Sequence, residues 1–256
     1  NLIKQEGKTT NHEKDIKEDP VLDYSNQAFI GISETIIINN EYINPEINNS
    51  EFINYDLSTT TNKDYLFYIE KDFTFENVKF IFNETDKQRY GAIKITGECL
   101  VDIINCQFIG CEIEGGTGGN AIYFTSPSSS SIEFDSNFRT IKNCVFMDCG
   151  RYSSTNSGFS IIFNDGYQYE ISGLTFNNNN GGIKISEFVK EANVESCTFL
   201  DCTKESVVES KLFFMRNNTF DFTNSVNSCG AFCIKSCGNI TIIDCHFIKT
   251  TAKGTI

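Results

Sequence analysis

The sequence predicts an all-β fold, a right-handed single-stranded parallel β-helix (a solenoid) with about eight coils of about 28 residues each. Three observations predict it: a strand-forming composition, one recurring motif anchored on Phe, and further short apolar blocks between the copies of that motif. The chain has 32 Ile, 8 Leu and 23 Phe, and β-branched and aromatic residues favour strands whereas Leu favours helices. It also has 28 Asn, a residue that tolerates left-handed backbone at tight turns.

The motif anchored on Phe recurs eight times, with 21 to 38 residues between successive anchors. The residue five positions before each anchor is apolar, and the residue three positions before it is small or turn-forming. In a solenoid, like residues stack on like, so we expect the anchors to form one buried core ladder. Its members are Phe52, Phe80, Phe108, Phe146, Phe176, Phe199, Phe220 and Phe247.

A second apolar block follows each anchor, and a third precedes the next one. Parallel strands need long crossovers, and in a solenoid the rest of the coil supplies them. A β-sandwich is the alternative, but it does not require one motif to recur at near-constant spacing. Several second blocks begin with Gly, which fits a tight bend where a side chain would clash. The second blocks lie at 65–69, 90–95, 118–124, 158–163, 181–185, 207–208 and 229–234, and clear third blocks lie at 100–103, 169–171 and 212–215.

Two regions are expected along the chain. Residues 1–25 are charged and lack the motif, which is typical of a disordered or linker segment, whereas residues 26–256 carry the β-helix. Residues 36–38 are the candidate first strand, and the Ser-rich stretch 126–131 predicts a polar loop inserted in the stack. Residues 253–256 resemble the opening of another second strand, so we expect this sequence to be a piece of a longer protein.

The charge balance excludes some classes of partner. Lys and Arg number 21 against 34 Asp and Glu, for a formal net charge of −13. That balance argues against a nucleic-acid binder and against adsorption to anionic lipid. No apolar run approaches 18 residues, so no membrane insertion is expected in this segment. We expect no cofactor and no metal.

The chain has 11 Cys. Cys106, Cys144, Cys197 and Cys245 each lie two residues before an anchor, which predicts a buried thiol ladder because Cys packs as a small apolar residue. Disulfides are the alternative, since Cys106 and Cys111 recur as the pairs Cys144/Cys149 and Cys197/Cys202. The intervening strand would hold such a pair too far apart for bonding geometry. Zinc is disfavoured because Cys229, Cys233 and Cys237 have neither CxxC spacing nor a nearby His.

Candidate catalytic groups are few. His246 lies between an inward Cys and an inward Phe and is expected to point outward. Asp148, Asn178 and Asp201 each follow an anchor by two residues, and adjacent coils would bring them close. Asp148 and Asp201 are therefore the catalytic candidates if the chain acts on carbohydrate, since such enzymes use paired carboxylates. The alternative is a solvated row of turn residues.

Four Asn-Xaa-Ser/Thr sequons are glycosylation candidates if the chain is secreted by a eukaryote. They begin at Asn48, Asn83, Asn217 and Asn239.

The repeats resemble those of chlamydia-type polymorphic outer-membrane proteins and related protozoan surface proteins over about residues 45–256. That family alternates a Gly-Gly-Ala-Ile block with a Phe-Xaa-Xaa-Asn block. Residues 80–83 and 176–179 match the second block, and residues 91–93, 181–183 and 230–232 match the first approximately. Most other copies depart from the pattern by carrying Cys where Asn would stand, at Cys111, Cys149 and Cys202. The resemblance implies a surface-exposed rod with adhesive roles and supplies no catalytic residue.

Three functions remain open. We expect a non-enzymatic, cell-surface or secreted β-helix rod that serves adhesion or displays binding loops, with a host-cell protein or glycan as partner. The alternative is a carbohydrate-active β-helix enzyme of the polysaccharide lyase or glycoside hydrolase type, in which close carboxylates would line one face. A structural spacer in a larger protein is the third possibility.

Overall fold

The computed structural model describes residues 24–42, 45–61, 64–84, 88–113, 118–125, 138–151, 158–221, 223–225, 231–235 and 237–252. Across these ranges every regular element is a β-strand and none is a helix. Nearly all the strands belong to three parallel sheets, because each coil adds one short strand to each sheet in turn. The predicted all-β, right-handed parallel β-helix is confirmed.

The 27 strands of the described ranges are numbered in chain order. Sheet A has nine strands, β1 (Ala28–Ile30), β4 (Glu51–Ile53), β7 (Lys79–Ile81), β10 (Gln107–Ile109), β13 (Val145–Met147), β16 (Thr175–Asn177), β19 (Thr198–Leu200), β22 (Thr219–Asp221) and β26 (His246–Ile248). Sheet B has eight, β2 (Ile36–Ile38), β5 (Tyr65–Ile69), β8 (Gly91–Ile95), β11 (Ile122–Thr125), β14 (Ile161–Asn164), β17 (Ile183–Ile185), β20 (Ser206–Val208) and β24 (Phe232–Ile234). Sheet C also has eight, β3 (Glu46–Asn48), β6 (Phe73–Glu76), β9 (Val101–Ile104), β12 (Phe138–Lys142), β15 (Gln168–Ser172), β18 (Glu191–Glu195), β21 (Leu212–Arg216) and β25 (Asn239–Ile243). The short strands β23 (Asn224–Ser225) and β27 (Thr251–Ala252) pair with each other.

The anchor residues of the repeat form one column of stacked rings in sheet A. Strand register places each anchor directly beside the next, from Phe52 to Phe247. Neighbouring ring centroids are 4.4 to 5.5 Å apart, and the ring planes are 4° to 14° from parallel. Phe247 stacks on Phe220 but remains 50% exposed, since the sheet order ends at β26.

The column has a ninth member that the sequence analysis missed. Phe29 in β1 pairs with Phe52, and their rings stack at 5.2 Å. Its copy of the motif has Tyr24 five residues earlier and Asn26 three residues earlier, as the pattern requires. The first described strand is therefore β1, and the candidate first strand at 36–38 is the second.

Most of the predicted 1–25 linker and the whole 126–131 loop lie outside the described residues.

The turn from sheet C to sheet A has the same length and conformation in every coil. It is two residues long in all eight described turns, and its first residue has φ between 52° and 64°; Asn26, at the equivalent position before β1, has φ 58°. This is the left-handed region, which Asn tolerates better than other residues with a side chain. Asn amides also bond between coils, since Asn49 Nδ2 donates to Asn26 Oδ1 at 3.1 Å and Asn77 Nδ2 donates to Asn49 Oδ1 at 3.1 Å. The row comprises Asn26, Asn49, Asn77, Asn105, Asn143, Gly173, Ser196, Asn217 and Asp244.

The core fills the interior of the three sheets along the whole stack. The apolar residues five positions before each anchor align in register along sheet C and point inward. Two inward columns of sheet B, mostly Ile and Phe, close the third side. The bend before sheet B is tight where it carries Gly: a Cβ on Gly182 would lie 2.6 Å from the Phe199 ring.

Replacing one ring of the Phe column tests how much the stack depends on it. We expect Phe146→Ala to lower the free energy of unfolding by about 3–5 kcal/mol, because Phe146 is fully buried between two stacked rings. Val145→Ala is the matched control, since its side chain lies on the outer face of the same strand and should cost far less. Urea unfolding of both variants measures the difference, and equal losses would contradict the ladder's role.

The left-handed turn gives a second test. Asn143 has φ 54°, so Asn143→Ala should lower stability by about 1–2 kcal/mol. Asn143→Gly should lower it less, because Gly enters this region without steric cost. Chemical denaturation of the pair supplies the comparison. An alanine variant as stable as the glycine variant would show that the turn relaxes to another conformation.

Candidate functional site

Connections of variable length border only sheet B. The turn from sheet C to sheet A is always two residues, as described above. The connection from sheet A to sheet B is 5 to 13 residues long, and the connection from sheet B to sheet C is 3 to 12 residues long. Extra residues therefore lie only in the connections before and after each sheet B strand, which border the two sides of sheet B. The corner between sheets C and A has the same length in every described coil.

The outer face of sheet B combines apolar and basic side chains. We call this surface the sheet B face; its central outward column contains two lysines and no acidic residue. Tyr68, Ile162, Val207 and Cys233 are buried although they point away from the core. Lys94, Tyr123 and Lys184 are half-buried and accessible. The register aligns Ile37, Tyr68, Lys94, Tyr123, Ile162, Lys184, Val207 and Cys233 in that order.

Three tyrosines surround the Lys94 ammonium on this face. Lys94 Nζ lies 5.2 Å from the ring centroid of Tyr68 and 5.9 Å from those of Tyr65 and Tyr123, within range of cation–π attraction. The Tyr65 hydroxyl donates to the Gly119 carbonyl at 2.9 Å and so holds the connection between β10 and β11 against the sheet. Burial and then the charge of nearby Asp64 raise the pKa of Tyr68 to about 12, so its hydroxyl stays protonated at neutral pH.

A second cluster lies further along the same face. Phe159, Ile162, Val207 and Cys233 pack together, and Lys204 Nζ lies 4.4 Å above the Phe159 ring. Burial lowers the pKa of Lys204, Glu205 opposes that change, and the charges of Lys184 and Lys235 lower the pKa further. The two neighbouring lysines thus act on the pKa of Lys204 in the same direction as burial.

The two candidate catalytic carboxylates lie in one row that follows the strands of sheet A. Asp148 and Asp201 lie in one row with Asn178 between them, each at the first residue after a sheet A strand, with φ from 51° to 57°. Asn178 Nδ2 donates to Asp148 Oδ1 at 2.5 Å. Two strand steps of about 4.8 Å put the aspartate backbones about 10 Å apart. The three residues therefore follow one another in adjacent coils with Asn178 in the middle, and a catalytic role for the two aspartates stays a prediction.

The cysteines stack between coils, so the pairing considered within one coil is wrong. Cys106, Cys144 and Cys197 are buried free thiols in the inward position before the Phe column, and Cys245 is half-buried in the last coil. The neighbour of Cys106 is Cys144, whose sulfur lies 3.4 Å from the Cys106 amide nitrogen. The described cysteines are free except Cys233, which is disulfide-bonded.

Burial dominates the chemistry of these thiols. It raises the pKa of Cys197 and of Cys202 to about 12. Burial and then the neighbouring Cys106 raise the pKa of Cys144 well above its ordinary value, and Cys111 adds to burial in the same way at Cys149. Because the thiolate is the nucleophile and the metal ligand, these groups are unreactive in the folded chain.

One charged pair lies inside the rod. Arg139 occupies an inward position of sheet C and is fully buried. It forms a salt bridge with Asp165 from the next coil. Its Nε donates to the Cys99 carbonyl at 2.8 Å, one Nη donates to the Gly97 carbonyl at 3.1 Å, and the other lies 3.0 Å from the Tyr169 hydroxyl. Burial opposes the charge of Arg139, but Tyr169 and Asp165 outweigh it and raise the pKa. The arginine ties three coils together.

The sequons differ in accessibility. Asn83, Asn217 and Asn239 are exposed. Asn48 is half-buried. Ser50, the third residue of its sequon, is fully buried, and its hydroxyl donates to main-chain carbonyls. His246 is exposed, as expected for an outward residue of sheet A.

The described ranges contain neither a metal-binding cluster nor a membrane-spanning helix. No group of three or more His, Cys, Asp or Glu residues has the geometry to hold a metal ion there. The same residues contain no helix with the length and hydropathy needed to cross a membrane.

These features define a parallel β-solenoid with one loop-bordered face. Residues 91–256 match the family described as the right-handed β-helix region, and the chain belongs to that family. The family includes both enzymes and non-enzymes. Comparison with curated proteins and with solved structures finds no match. The sequence analysis identified the fold and the Phe column but missed the sheet B face, whose signal was a run of outward residues without a carboxylate.

Thiol labelling tests the burial of the cysteine rows. At pH 8 we expect a thiol reagent to modify Cys237 and Cys245, which are half-buried, long before Cys106, Cys144, Cys197 or Cys202. Peptide mapping by mass spectrometry after timed quenching gives the order, and urea should equalise the rates. Rapid labelling of Cys197 in the folded chain would contradict the inward placement.

The raised thiol pKa values also predict a pH dependence. In the unfolded chain Cys197 and Cys202 lose their protons from about pH 9, whereas in the folded chain they keep them to about pH 12. The folded state binds more protons in this window, so their contribution to stability is full below pH 9 and decreases as pH rises. Replacing both by Ala should flatten the decline between pH 8 and 11, measured by urea unfolding, and an unchanged slope would contradict the assignment.

Breaking the buried ion pair should be costly. Arg139→Met leaves the buried Asp165 without its salt-bridge partner, and we expect a loss of about 3–5 kcal/mol in the free energy of unfolding. Arg139→Met combined with Asp165→Leu should recover part of that loss, because no charge is left unpaired. A double variant that is less stable than the single one would show that hydrogen bonds of Asp165 dominate instead.

Proposed function

We propose that this chain is a non-enzymatic cell-surface or secreted rod that recognises a host-cell protein or glycan through the sheet B face and the connections beside it. The observation that carries the proposal is the restriction of variable connections to the two edges of sheet B. Binding residues concentrate on loops that a rigid element positions. The adhesive role that the resemblance to polymorphic outer-membrane proteins implies agrees with this proposal.

The rest of the coil supplies the rigid element. The Phe column and the uniform turn between sheets C and A hold every coil in register with the next. Because the main chain is paired between coils, changes in the connections leave the sheets in place. Such a rod can vary its binding surface without changing its core.

The carbohydrate-active alternative needs two carboxylates that act on one bond, about 5 to 9.5 Å apart. Asp148 and Asp201 lie about 10 Å apart along the backbone by strand spacing, and an amide bonded to Asp148 lies between them. We favour binding without turnover because the variable connections lie beside sheet B, whereas these aspartates follow the strands of sheet A. Incubation with neutral and acidic polysaccharides, followed by measurement of reducing ends and of unsaturated products, tests this part. Product formation that Asp148→Asn or Asp201→Asn abolishes would overturn the non-enzymatic proposal.

Location can be tested on the source cells. A membrane-impermeant amine reagent should label the chain on intact cells if it lies at the surface, and antibody should recover it from the medium if it is secreted. Labelling that appears only after lysis would overturn the proposal. An abundant cytosolic protein serves as the control for cell integrity.

Binding can be assigned to a face with three matched substitutions. Fluorescent rod is applied to intact cultured cells, and bound protein is measured for Tyr123→Ala on sheet B, Thr198→Ala on sheet A and Thr140→Ala on sheet C. All three side chains lie on outer faces of their strands. We expect only Tyr123→Ala to weaken binding, and an equal effect from either control would overturn the assignment to the sheet B face.

A further inference from the structure

We propose that the outer face of sheet A binds a second copy of this chain, with the two rods antiparallel. This inference does not rest on the proposed function, because it concerns a different face of the rod. The surface consists of the first and third residues of each strand from β4 to β26, which flank the anchor Phe and lie on the outer side of the sheet. We call it the sheet A face.

The third residues of these strands form an outward column that is mostly apolar. A sheet with one face in water ordinarily carries polar residues on that face. Here six of the eight copies are apolar, and most of them are half-buried, with Ile248 43% exposed. An apolar row of this kind marks a surface that another molecule covers. Strand register aligns Ile53, Ile81, Ile109, Met147, Asn177, Leu200, Asp221 and Ile248.

The distribution of charge favours a second copy as the occupant. Two copies repel one another because each has a formal net charge of −13. The sheet A face does not add to that repulsion, since Lys79 and His246 accompany its two acidic residues, Glu51 and Asp221. Lys79 also forms a salt bridge with Glu51 at 2.6 Å. The outward residues of β10, β13, β16 and β19 are all uncharged.

The other two faces suit such a contact less well. The outer face of sheet C carries Glu76, Glu170 and Glu195, which would meet the carboxylates of the second copy. Sheet B is bordered by connections of variable length, which would hold a flat partner away. A dimer through sheet A leaves sheet B of both copies uncovered.

The shape of the sheet A face suits packing of one sheet on another. The anchor rings behind it are 4° to 14° from parallel, which indicates little twist from strand to strand. Its centre carries the short β-branched residues Val145, Thr175 and Thr198. Eight strands cover about 38 Å by about 17 Å, or about 650 Å² per copy, within the range of about 600–1,000 Å² per partner in specific interfaces.

The order of apolar residues favours antiparallel rods. A two-fold axis that runs along the strand direction between β13 and β16 places β4 opposite β26 of the second copy and β10 opposite β19. Ile109 then lies opposite Leu200 of the second copy, and Ile53 lies opposite Ile248. Each of these apolar residues is thus covered by another.

The charged residues agree with the same arrangement. Glu51 lies opposite His246 of the second copy, and Lys79 lies opposite β22, the strand that carries Asp221. Parallel rods in register would instead place each strand against its own counterpart, with Lys79 against Ile81. Complementary charges across an interface fix its register, so the antiparallel arrangement is preferred.

Sedimentation velocity of the whole chain tests the interface. We expect the mass of the wild-type chain to rise from that of a monomer toward that of a dimer between about 1 and about 100 µM. Thr198→Lys adds a charge near the centre of the sheet A face, whereas the matched control Thr140→Lys adds the same charge to the outer face of sheet C. Circular dichroism and thermal unfolding establish that both variants are folded.

The Thr198→Lys variant should dimerise at least about tenfold more weakly, because two ammonium groups lose water in each dimer, and the control should stay within about twofold of wild type. A wild-type chain that remains monomeric to about 100 µM, or equal losses in the two variants, would overturn the inference.

Cross-linking tests the antiparallel arrangement. Ile109→Cys and Leu200→Cys are prepared as separate variants, mixed, and oxidised with copper–phenanthroline. We expect the mixture to form a disulfide-linked dimer and each variant alone to form little, because like positions are about 14 Å apart along the face. The wild-type chain, which keeps the half-buried Cys237 and Cys245, gives the background. Cross-linking of Ile109→Cys with itself to the same extent as the mixture would overturn the antiparallel arrangement.

Discussion

In-register stacking at the corner between sheets C and A is the constraint on which the rest of the structure depends. Each coil passes this corner through two residues, the first of them in the left-handed region. Because the turn has a constant length, the register cannot slip, and the anchor Phe, three positions after the first turn residue, always meets the previous anchor. The stacked rings then bury a continuous apolar column, which stabilises the register that aligned them.

This constraint also determines where the chain can vary. Because the corner and the Phe column fix two sides of each coil, extra residues can enter only before or after sheet B. The result is a rod with one uniform corner and one loop-bordered face. Function in such an architecture depends on the variable side, and the basic and aromatic groups of the sheet B face lie there. The uniform corner and the loop-bordered face thus both follow from the restriction of extra residues to the connections beside sheet B.

The interior tolerates polar groups where the next coil supplies partners. Arg139 is the largest example, with donors directed to carbonyl groups of one neighbouring coil and to a carboxylate of the other. The buried cysteines also have their contacts between coils. Cys106 contacts Cys144, which is 38 residues away in sequence, whereas Cys111 lies beyond an intervening strand. Stacking makes the residue one coil away a closer neighbour than many residues in the same coil.

The sequence by itself determined the period, the parallel β-helix and the eight anchors, because a repeat that buries the same side chain in each coil must show that side chain at regular intervals. It also contained the ninth anchor, Phe29, with Asn26 at the turn position. Two residues before this anchor, however, Gln27 stands where most other copies have a small or apolar residue. The tertiary structure alone decided the sheet B face. Lys94 and Lys184 are 90 residues apart, and connections of unequal length hide their common column until the strands are aligned. A net charge of −13 averages over the whole surface, whereas the folded chain aligns Lys94 and Lys184 in one outward column without a carboxylate.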